Sequence, residues 1–463
     1  MKKQSYSFPS VYEATGTNLS FVSKDLINGL QLYDEQEQSY IIGNLALNEG
    51  VSPNKLINSS PYELDYQLLL RAGLLLANHE NNRPVAITTG FPFSTYQVYK
   101  DIAKETILKL NNIDYNPGTF INQDKISLKT NIQQVEILPE MIGNIIGLRV
   151  GQAQASGNFF VVSLGYGTCE AVLSTENGIV HRTASSINGM QYAVDLFMRS
   201  LAQKYYLGLK TEKQLDVSFR HDYIVLDRQK INIVDLRRRI LERYYIDIIS
   251  NGLRRSFTDS DFERADKIYL TGGGALFPEL IEMFEKEFKQ IATIEVVKNP
   301  LTLTSEGYSL NSIMLTDGDE SAAIGLDIGN ANTVLTQYEK EEIKHETHKK
   351  EKIAVHEVIE KKKEVILEDE PVKQVVEDIV EDEKVTVEKI IKTEEPIQKV
   401  ILKKEVIEEV EDEEDEEDDK EILEFKKSIE DEEETTDDYI KKLLKSENIQ
   451  NKENKESYEP DFS

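Results

Sequence analysis

Short apolar runs alternate with longer segments of helical length along the first 340 residues of the chain. The apolar runs are bounded by glycine, proline or asparagine, which is typical of buried strands. They lie at residues 85–89, 159–164, 170–174, 178–183, 267–271 and 322–336, the last with a glycine turn inside it. The segments of helical length lie at residues 62–78, 190–205, 233–256 and 276–289. Asn177-Gly178 predicts a hairpin between two of the strands, and the alternation of strands with helices predicts an α/β protein.

The rest of the chain, residues 341–463, is dominated by charged residues and lacks the alternation of apolar runs seen in the first 340 residues. Residues 341–463 contain 44 acidic and 22 basic side chains and none of the 24 glycines. Pro371 and Pro396 interrupt any helix, and residues 411–419 form an unbroken acidic block. This composition predicts a disordered tail. Within it, residues 421–446 carry enough apolar side chains to form a helix against a protein partner.

Composition also excludes several classes of function. The net charge of −30 argues against direct, nonspecific binding to DNA or to an anionic membrane. A single cysteine, Cys169, allows no intrachain disulfide and no cysteine-based zinc site. No run of 18 apolar residues predicts a membrane span, and the N-terminal residues lack the apolar stretch of a signal peptide. The expected compartment is therefore the cytoplasm.

Three glycine-rich segments are candidates for holding a phosphorylated ligand, and the strongest is residues 270–275, LTGGGA. It follows a predicted strand and precedes a predicted helix. Three glycines let a ligand approach the backbone closely, and a helix N-terminus offers free N–H groups. The alternative is a tight strand-to-helix turn without a ligand.

The other two segments are ambiguous when each is taken alone. Residues 163–168, SLGYGT, lie between two strands and can wrap a phosphate with backbone amides and one hydroxyl, although a plain hairpin explains them as well. Residues 327–333, DIGNANT, place an aspartate at a strand end before a turn of small residues. That arrangement suits a metal-bound phosphate, and a linker to the charged tail is the alternative.

Together the three segments resemble the loops of the superfamily of ATPases that includes actin, the heat-shock chaperones and the sugar kinases. In that superfamily two phosphate hairpins and one adenosine loop close over a nucleotide between two similar domains. DIGNANT is close to the DLGTANT of MreB-type bacterial actins. Five further segments resemble the ParM-like and archaeal actin-like branch, and the resemblance covers about residues 5–338. These segments are 8–11 (FPSV), 40–46 (YIIGNLA), 89–92 (TGFP), 138–140 (LPE) and 299–308 (NP followed by EGY).

The order of the segments differs from that of the family, in which the DxGxxxT hairpin opens the chain. Here the hairpin follows the closing helix, and moving residues 322–340 in front of residue 1 restores the family order. We interpret this as a circular permutation, which is tolerated where the original termini lie close and the new cut falls in an exposed turn. A truncated second copy starting at residue 322 is the alternative, but it would leave both copies incomplete.

The resemblance implies an actin-like (ribonuclease H-like) two-domain ATPase fold, circularly permuted, with a disordered acidic tail. Domain I would span residues 1–145 and be completed by 318–340. Domain II would span residues 146–317 and include a variable subdomain at about 205–267. The tail, residues 341–463, would be rooted beside residue 1 on the nucleotide domain.

The resemblance further implies a site for ATP and Mg²⁺. Asp327 would hold the metal through water and Glu140 would orient the attacking water, so these two are the expected catalytic residues. The phosphates would be wrapped by Gly329, Asn330, Ala331, Asn332 and Thr333 from one domain, and by Ser163, Gly165, Tyr166, Gly167 and Thr168 from the other. The adenosine would lie against Gly272, Gly273 and Gly274, with Asn188 and Gly189 as weaker candidates. For Glu140 the alternative is a solvated carboxylate at a helix start.

One departure from the family affects the expected chemistry. The second phosphate loop of the family begins with aspartate, and here that position is Ser163. Serine can bond a metal-bound water but carries no charge, so we expect reduced magnesium affinity or slow turnover.

Two basic islands stand out in this acidic chain. Residues 237–239 and 254–255 are arginines within the predicted variable subdomain. They are compatible with a solvated helix face or with a filament or adaptor contact.

The favoured interpretation is an ATP-hydrolysing, filament-forming protein of the cytoplasm that segregates plasmid or other replicon DNA. Its partners would be copies of itself and an adaptor that links it to DNA, since direct DNA binding is not expected. The first alternative is a cytoskeletal or positioning scaffold with slow or absent hydrolysis, whose tail recruits partners or limits bundling. The second is a metabolic kinase of the same superfamily, although no sugar-site motif is evident.

Overall fold

Nineteen strands and eleven α-helices make up the described part of the chain. The computed structural model describes residues 2–56, 60–79, 83–207, 212–226 and 228–339, all of which belong to one compact unit. The charged tail, including the predicted helix at 421–446, lies outside the described residues. The strands are β1 (Lys2–Pro9), β2 (Val11–Thr15), β3 (Gln31–Tyr33), β4 (Ser39–Ile42), β5 (Asn54–Lys55), β6 (Val85–Phe91), β7 (Asn112–Tyr115), β8 (Ile126–Lys129), β9 (Ile132–Pro139), β10 (Phe159–Leu164), β11 (Thr168–Thr175), β12 (Gly178–Ile179), β13 (Ser185–Asn188), β14 (Tyr223–Leu226), β15 (Gln229–Asn232), β16 (Lys267–Thr271), β17 (Thr293–Val296), β18 (Ala323–Ile328) and β19 (Asn332–Glu339).

The eleven α-helices follow in chain order. They are α1 (Asn44–Glu49), α2 (Leu64–Asn78), α3 (Phe93–Lys109), α4 (Glu140–Val150), α5 (Gln191–Lys204), α6 (Glu212–Phe219), α7 (Val234–Tyr244), α8 (Asn251–Ser256), α9 (Asp259–Phe262), α10 (Pro278–Phe288) and α11 (Leu303–Leu315). A π-helical segment, Tyr245–Ser250, joins α7 to α8. None of the helices in the described residues is long and apolar enough to cross a membrane.

The first sheet brings the two ends of the described chain together. Its strand order is β1-β19-β18-β6-β9. β1 and β19 are antiparallel, with Lys2 opposite Glu339 and Pro9 opposite Asn332. β18 pairs antiparallel with β19 and parallel with β6. The strand predicted from 322–336 therefore lies inside the body, in the same sheet as the first residues of the chain.

Helices cover both faces of this sheet at its centre. A side chain at Gly73 of α2 would contact Leu326, while one at Gly325 would contact the backbone of α11 at Ser305 and Ser309. Leu326 and Gly325 are consecutive in β18, so their side-chain positions point to opposite faces. The sheet is thus sandwiched between α2 and α11, which explains why β18 reads as a continuous apolar run.

Two further sheets complete the body, together with the β14–β15 hairpin. One has six strands in the order β5-β2-β4-β3-β7-β8. The other contains β12-β11-β10-β16-β17, with β13 also pairing to β11. In this sheet β10 and β16 are parallel, with Ser163 opposite Thr271. Loops that follow parallel strands emerge at the same edge of a sheet, so the turns after β10 and β16 are neighbours.

Helices α4 and α11 connect the first sheet to the sheet that contains β10. α11 packs on β18 and α4 packs on β10 and β11, while the two helices pack closely on each other. A Cβ at Gly307 would lie 1.8 Å from the Gly143 carbonyl oxygen, and one at Gly147 would lie 2.8 Å from Leu303. Only glycine allows the two backbones to come this close.

Most predicted elements are confirmed, with one clear exception. The segment predicted as a strand over 178–183 forms only the two residues of β12, and residues 181–183 form a 3₁₀ turn. The Thr183 hydroxyl donates to the Val180 carbonyl at 2.6 Å and accepts from the Leu173 N–H at 2.9 Å. The Thr183 hydroxyl thus accepts the hydrogen bond that a backbone carbonyl of a longer strand would accept, and the strand ends before it.

The predicted basic helix over 233–256 is also present, and neighbouring acids hold three of its five arginines in the two islands. Arg237 is buried and donates to Glu279 at 2.9 Å. Arg238 pairs with Glu282 and Arg254 pairs with Glu287, each at 2.9 Å. Glu279, Glu282 and Glu287 all belong to α10, so these contacts act within the fold.

We predict that Gly307→Ala destabilises the whole body. The added methyl would collide with the Gly143 backbone rather than with a flexible side chain, so two helices would have to separate. Overpacking of this kind costs about 3 kcal/mol of unfolding free energy. Urea unfolding followed by circular dichroism measures the loss. Gly16→Ala is the matched control, because a Cβ at Gly16 meets nothing within 4 Å; it should change stability by less than about 0.5 kcal/mol. Equal stability of the two variants would show that α4 and α11 can move apart freely.

Candidate functional site

The three glycine segments meet at one cleft, with about 1080 Å³ of space that is partly open to solvent. Both expected catalytic residues, Glu140 and Asp327, line it. From the glycine segments the lining residues are Ser163, Gly165, Tyr166, Gly167, Thr168, Gly272, Gly273, Gly329, Asn330, Ala331 and Asn332. Four predicted site residues, Asn188, Gly189, Gly274 and Thr333, are not among the lining residues. The sequence therefore identified segments that the fold does bring together.

The first loop is the tight turn between β18 and β19, and Ser10 holds it from behind. The Gly329 N–H donates to the Asn332 carbonyl at 3.1 Å, which closes the turn. The Ser10 hydroxyl donates to the Gly329 carbonyl at 2.6 Å and lies 3.0 Å from the Thr333 hydroxyl. The Ser10 N–H donates to the Ala331 carbonyl at 3.0 Å. Thr333 is therefore a buried brace of the loop, with its hydroxyl directed to Ser10 and away from the cleft.

The second loop joins β10 to β11 and is supported by the residues just after β13. The N–H groups of Gly189 and Met190 donate to the carbonyls of Gly167 and Gly165, at 3.1 and 2.9 Å. A Cβ at Gly189 would lie 2.4 Å from the Tyr166 carbonyl oxygen. Gly189 thus packs behind the second loop, as does Asn188, which pairs with Thr168 in the β-ladder. The structure does not place either one at the cleft wall.

The third loop follows β16 and needs its glycines for close packing. Gly272 has φ +81°, a conformation that favours glycine, and its Cβ position is 2.8 Å from the Leu164 backbone. Its N–H donates to the Pro300 carbonyl at 2.9 Å. Gly274 is buried against Leu164 and Met190. Gly272 and Gly273 therefore face the cleft, while Gly274 fixes the loop to the sheet.

The first and second loops touch across the cleft. A Cβ at Gly167 would lie 2.5 Å from the side-chain oxygen of Asn330. The Lys55 ammonium lies 3.7 Å from the centroid of the Tyr166 ring. The cleft is therefore narrow at this end, where backbone amides of two loops face each other.

Two carboxyl groups, those of Glu140 and Asp327, line the cleft, and burial makes both of them costly to ionise. Burial is the main cause that raises the pKa of Glu140 well above its usual range, and the nearby charges of Asp327 and Glu170 add to it. Burial likewise raises the pKa of Asp327 to about 7. Carboxyl groups in this state hold protons near neutral pH unless a cation compensates their charge.

Glu170 is a third acid of this region that the sequence did not reveal. It is fully buried on β11, directly opposite Ser163 in the ladder. One carboxyl oxygen accepts from the Phe93 N–H, the first of α3, at 2.8 Å, and the other has no hydrogen-bond partner among the described residues. Burial raises the pKa of Glu170 to about 7, against the opposing effect of its hydrogen bonds from Phe93 and Ser186. A glutamate inside the apolar strand CEAVL was the signal available for it.

The opposite end of the cleft is apolar, with one ion pair. Its lining includes Met190, Val194, Phe219 and Phe277. Arg220 also lines the cleft and pairs with Asp216 at 3.0 Å. Helix periodicity gave no indication that Val194 of α5 and Phe219 of α6 would line the cleft. The cleft therefore has an amide-rich acidic end and an apolar end.

The residues at the acidic end fit a magnesium ion held mainly through water. Mg²⁺ prefers oxygen ligands, keeps several waters, and is bound through one or two carboxylates together with substrate phosphates. Asp327 and Glu140 supply such carboxylates, and Thr168 adds a hydroxyl. Among the described residues no three His, Cys, Asp or Glu side chains are close enough to chelate a metal directly. This donor set suits a hydrated ion brought with phosphates.

Comparisons with known proteins agree on the fold. Residues 1–143 match the family model described as the N-terminal domain of actin-like proteins. A search of curated protein sequences finds no match. Among solved structures, the archaeal actin homologue Ta0583 superposes with a TM-score of 0.52 at 17% identity, covering 65% of this chain and 90% of its own. The same homologue in complex with ADP gives a TM-score of 0.51 at 16% identity, with coverage of 67% and 92%.

A ParM filament structure from Clostridium botulinum is similar to the same degree. Its TM-score is 0.53 at 15% identity, and the match covers 66% of this chain and 92% of the ParM chain. At these identities the likeness concerns the fold, which agrees with the α/β architecture and the cleft described above. The chain therefore has the fold of the actin-like proteins, and its residues 1–143 match the model of the N-terminal domain of that family.

Proposed function

We propose that the chain binds ATP with Mg²⁺ in this cleft and hydrolyses it. The observation that carries the proposal is the meeting of three glycine loops with Glu140 and Asp327 around one space. Backbone amides of the turn that Gly329 begins, at Asn330–Asn332, and of Gly165–Thr168 would hold the phosphates, and the adenosine would lie against Gly272 and Gly273. The apolar end of the cleft suits the base. The ADP complex of the archaeal homologue supports a nucleotide as the ligand.

Hydrolysis would depend on the two deep carboxylates. Asp327 would hold the hydration shell of Mg²⁺, and Glu140, at the first position of α4, would orient the attacking water. Ser163 lacks the charge that the family has at its position, so turnover would be slow. Glu170 lies opposite Ser163 and keeps one carboxylate close to that position.

We propose further that the protein assembles into filaments that segregate plasmid or other replicon DNA in the cytoplasm. The likeness to a protein solved as a ParM filament supports self-assembly. An adaptor would link the filament to DNA. The alternative is a cytoskeletal or positioning scaffold, and an adjacent gene for a small DNA-binding adaptor would favour segregation over it.

A circular permutation with two domains is the organisation that we propose for this fold. β18, β19 and β1 are consecutive neighbours in the first sheet, and both contacts are antiparallel. Lys2 lies opposite Glu339, so a short turn would join them into one meander. Domain I would then comprise 318–340 and 1–145, and domain II would comprise 146–317 with its variable part at about 205–267. The Thr316–Ser321 link would be the junction of the family's old termini.

Mg²⁺-ATP is predicted to raise the melting temperature of the full-length chain. A ligand that binds only the folded state adds about 2.7 kcal/mol of stability at 100 times its Kd. Asp327→Ala should remove most of this shift, because the metal and its phosphates lose their carboxylate. Asp124→Ala, an exposed position outside the cleft lining, is the control and should shift as the wild type does. Absence of any shift in the wild type at millimolar ATP would refute the nucleotide site.

Glu140→Ala is predicted to bind ATP but to release phosphate about 100-fold more slowly, because a positioned water is lost. Filaments of this variant should persist longer after assembly, as judged by sedimentation and light scattering. Glu136→Ala, on β9 and outside the cleft lining, should behave as the wild type. Ser163→Asp should speed phosphate release if the missing charge limits turnover. Unchanged release in Glu140→Ala would remove its catalytic role, and no ATP-dependent pelleting of any variant would remove the filament.

A rearranged chain is predicted to fold when residues 319–339 are placed first and joined through Asn-Gly to residues 2–318. The paired ends at Glu339 and Lys2 match the geometry of a two-residue hairpin turn. The new cut falls after Gly318, in an exposed turn between α11 and β18. The melting temperature of the rearranged chain, and its rise with Mg²⁺-ATP, should approach those of the parent chain without the tail, residues 2–339. A control cut inside β6, a central strand, should not fold. Failure of the first rearrangement to fold would contradict the permutation.

A further inference from the structure

Lys55 lies at a place where the backbone is tied to the first glycine loop. It is the last residue of β5 and pairs with Val11 of β2. The next N–H, that of Leu56, donates to the Ser10 carbonyl at 3.1 Å, and Ser10 itself braces Gly329. The side-chain amide of Asn330 donates to the Leu56 carbonyl at 3.5 Å. The main chain at Lys55 is therefore a neighbour of the turn formed by residues 329–332.

The Lys55 side chain extends from there to the second glycine loop. Its ammonium lies 3.7 Å from the centroid of the ring of Tyr166, which stands between Gly165 and Gly167 in the sequence. Tyr166 lines the cleft and is 9% exposed. Since Gly167 and Asn330 also meet, the lysine spans the two loops at the point where they come together. Its ammonium thus lies against Tyr166, a lining residue at the narrow end of the cleft, although Lys55 itself is not among the lining residues.

Charge at this end is otherwise negative. The charged residues that line the cleft within the described chain are Glu140, Asp216, Arg220 and Asp327. Arg220 is engaged with Asp216 at 3.0 Å and borders the apolar end. A nucleoside triphosphate brings about four negative charges, and a divalent ion compensates two. Lys55 lies beside both loops, and its positive charge suits the negative charge of the phosphates that the divalent ion leaves uncompensated.

We infer that Lys55 is a phosphate-binding residue, whose ammonium leaves the face of Tyr166 to contact the terminal phosphate of the bound nucleotide. Lysine suits this role because its compact ammonium sits on a flexible stem and can exchange a ring face for an anion. The Tyr166 ring keeps the charge at the cleft while no phosphate is present. The six-stranded sheet that contains β5 would thereby take part in binding. The contact of Lys55 with the terminal phosphate would make the site bind a triphosphate more tightly than a diphosphate. This inference rests on the proposed nucleotide site.

The test compares the affinity of full-length variants for Mg²⁺-ATP and Mg²⁺-ADP by calorimetry. Lys55→Met keeps the length of the side chain and removes its charge. A lost charge-assisted bond to phosphate corresponds to about a tenfold or greater rise in the Kd for ATP. The Kd for ADP should rise by less than about threefold, because ADP has no terminal phosphate at that position. Lys55→Arg keeps the charge and should restore most of the ATP affinity.

Lys230→Met is the matched control. Lys230 lies 4.4 Å from the ring centroid of Tyr223 on the β14–β15 hairpin, and Tyr223, unlike Tyr166, does not line the cleft. This variant makes the same chemical change to a similar lysine–tyrosine pair and should leave both affinities unchanged. Melting temperatures without nucleotide confirm that each variant is folded. Lys55→Arg provides the comparison if Lys55→Met proves unstable, since failure of the arginine to bind ATP better than ADP would count against the inference.

The outcomes separate this inference from the function on which it rests. If Lys55→Met binds ATP as the wild type does while Asp327→Ala does not bind, Lys55 has no role and the nucleotide site stands. Equal losses for ATP and ADP would overturn the assignment to the terminal phosphate. A wild type that binds neither nucleotide would refute the proposed function and this inference together. A selective loss for ATP in Lys55→Met, restored in Lys55→Arg, would support it.

Discussion

The antiparallel ladder between β1 and β19 is the contact on which the cleft depends. It joins the first strand of the chain to the last described one over eight paired positions, from Lys2–Glu339 to Pro9–Asn332. The first glycine loop begins where this ladder ends, and Ser10, the residue just after β1, holds it through its hydroxyl and its N–H. Loss of the ladder would therefore release Asp327, the loop and the support for Lys55 at once. Because the first and the last described strands pair in one sheet, the geometry of the cleft depends on contacts between residues at the two ends of the described chain.

The acids of the cleft create an electrostatic conflict that a ligand would relieve. Burial raises the pKa of Asp327 to about 7, and the same cause raises the pKa values of Glu170 and Glu140. Acids in such surroundings give up protons readily only when a cation is near. The serine at position 163 removes one more negative charge from this group, while Glu170, opposite it, retains one. Under the proposed function, serine at 163 would weaken the attraction for a metal and would also lessen the repulsion among the remaining acids.

The sequence allowed the fold and the three loops to be predicted because their signals are local. Gly272 and Gly165 stand directly after apolar strands, and the DIGNANT segment repeats a known family pattern in an unusual position. Lys55 was missed because its position depends on a pairing between residues far apart in sequence, Val11 with Lys55. Glu170 was missed because its place opposite Ser163 depends on the register of the β10–β11 hairpin, which the sequence alone does not fix. Asn188 and Gly189 were placed near the adenosine by resemblance, whereas the structure puts them behind the second loop. The strand expected over 178–183 ends early because one threonine hydroxyl competes with the backbone, which residue propensity does not reveal.

The direction of β19 separates the last described residue from the first glycine loop. The ladder places Asn332 at the loop end of the sheet and Glu339 at its other end. Seven steps along a strand, at about 3.3 Å each, separate these residues by about 23 Å. Glu339, where the described residues end, therefore lies at the opposite end of β19 from the first glycine loop. In the family order this point would be an internal turn between β19 and β1, where an added segment would have to return to the sheet. Under the permutation proposed above, that turn is replaced by Lys2 and Glu339, which pair across the ladder without being joined.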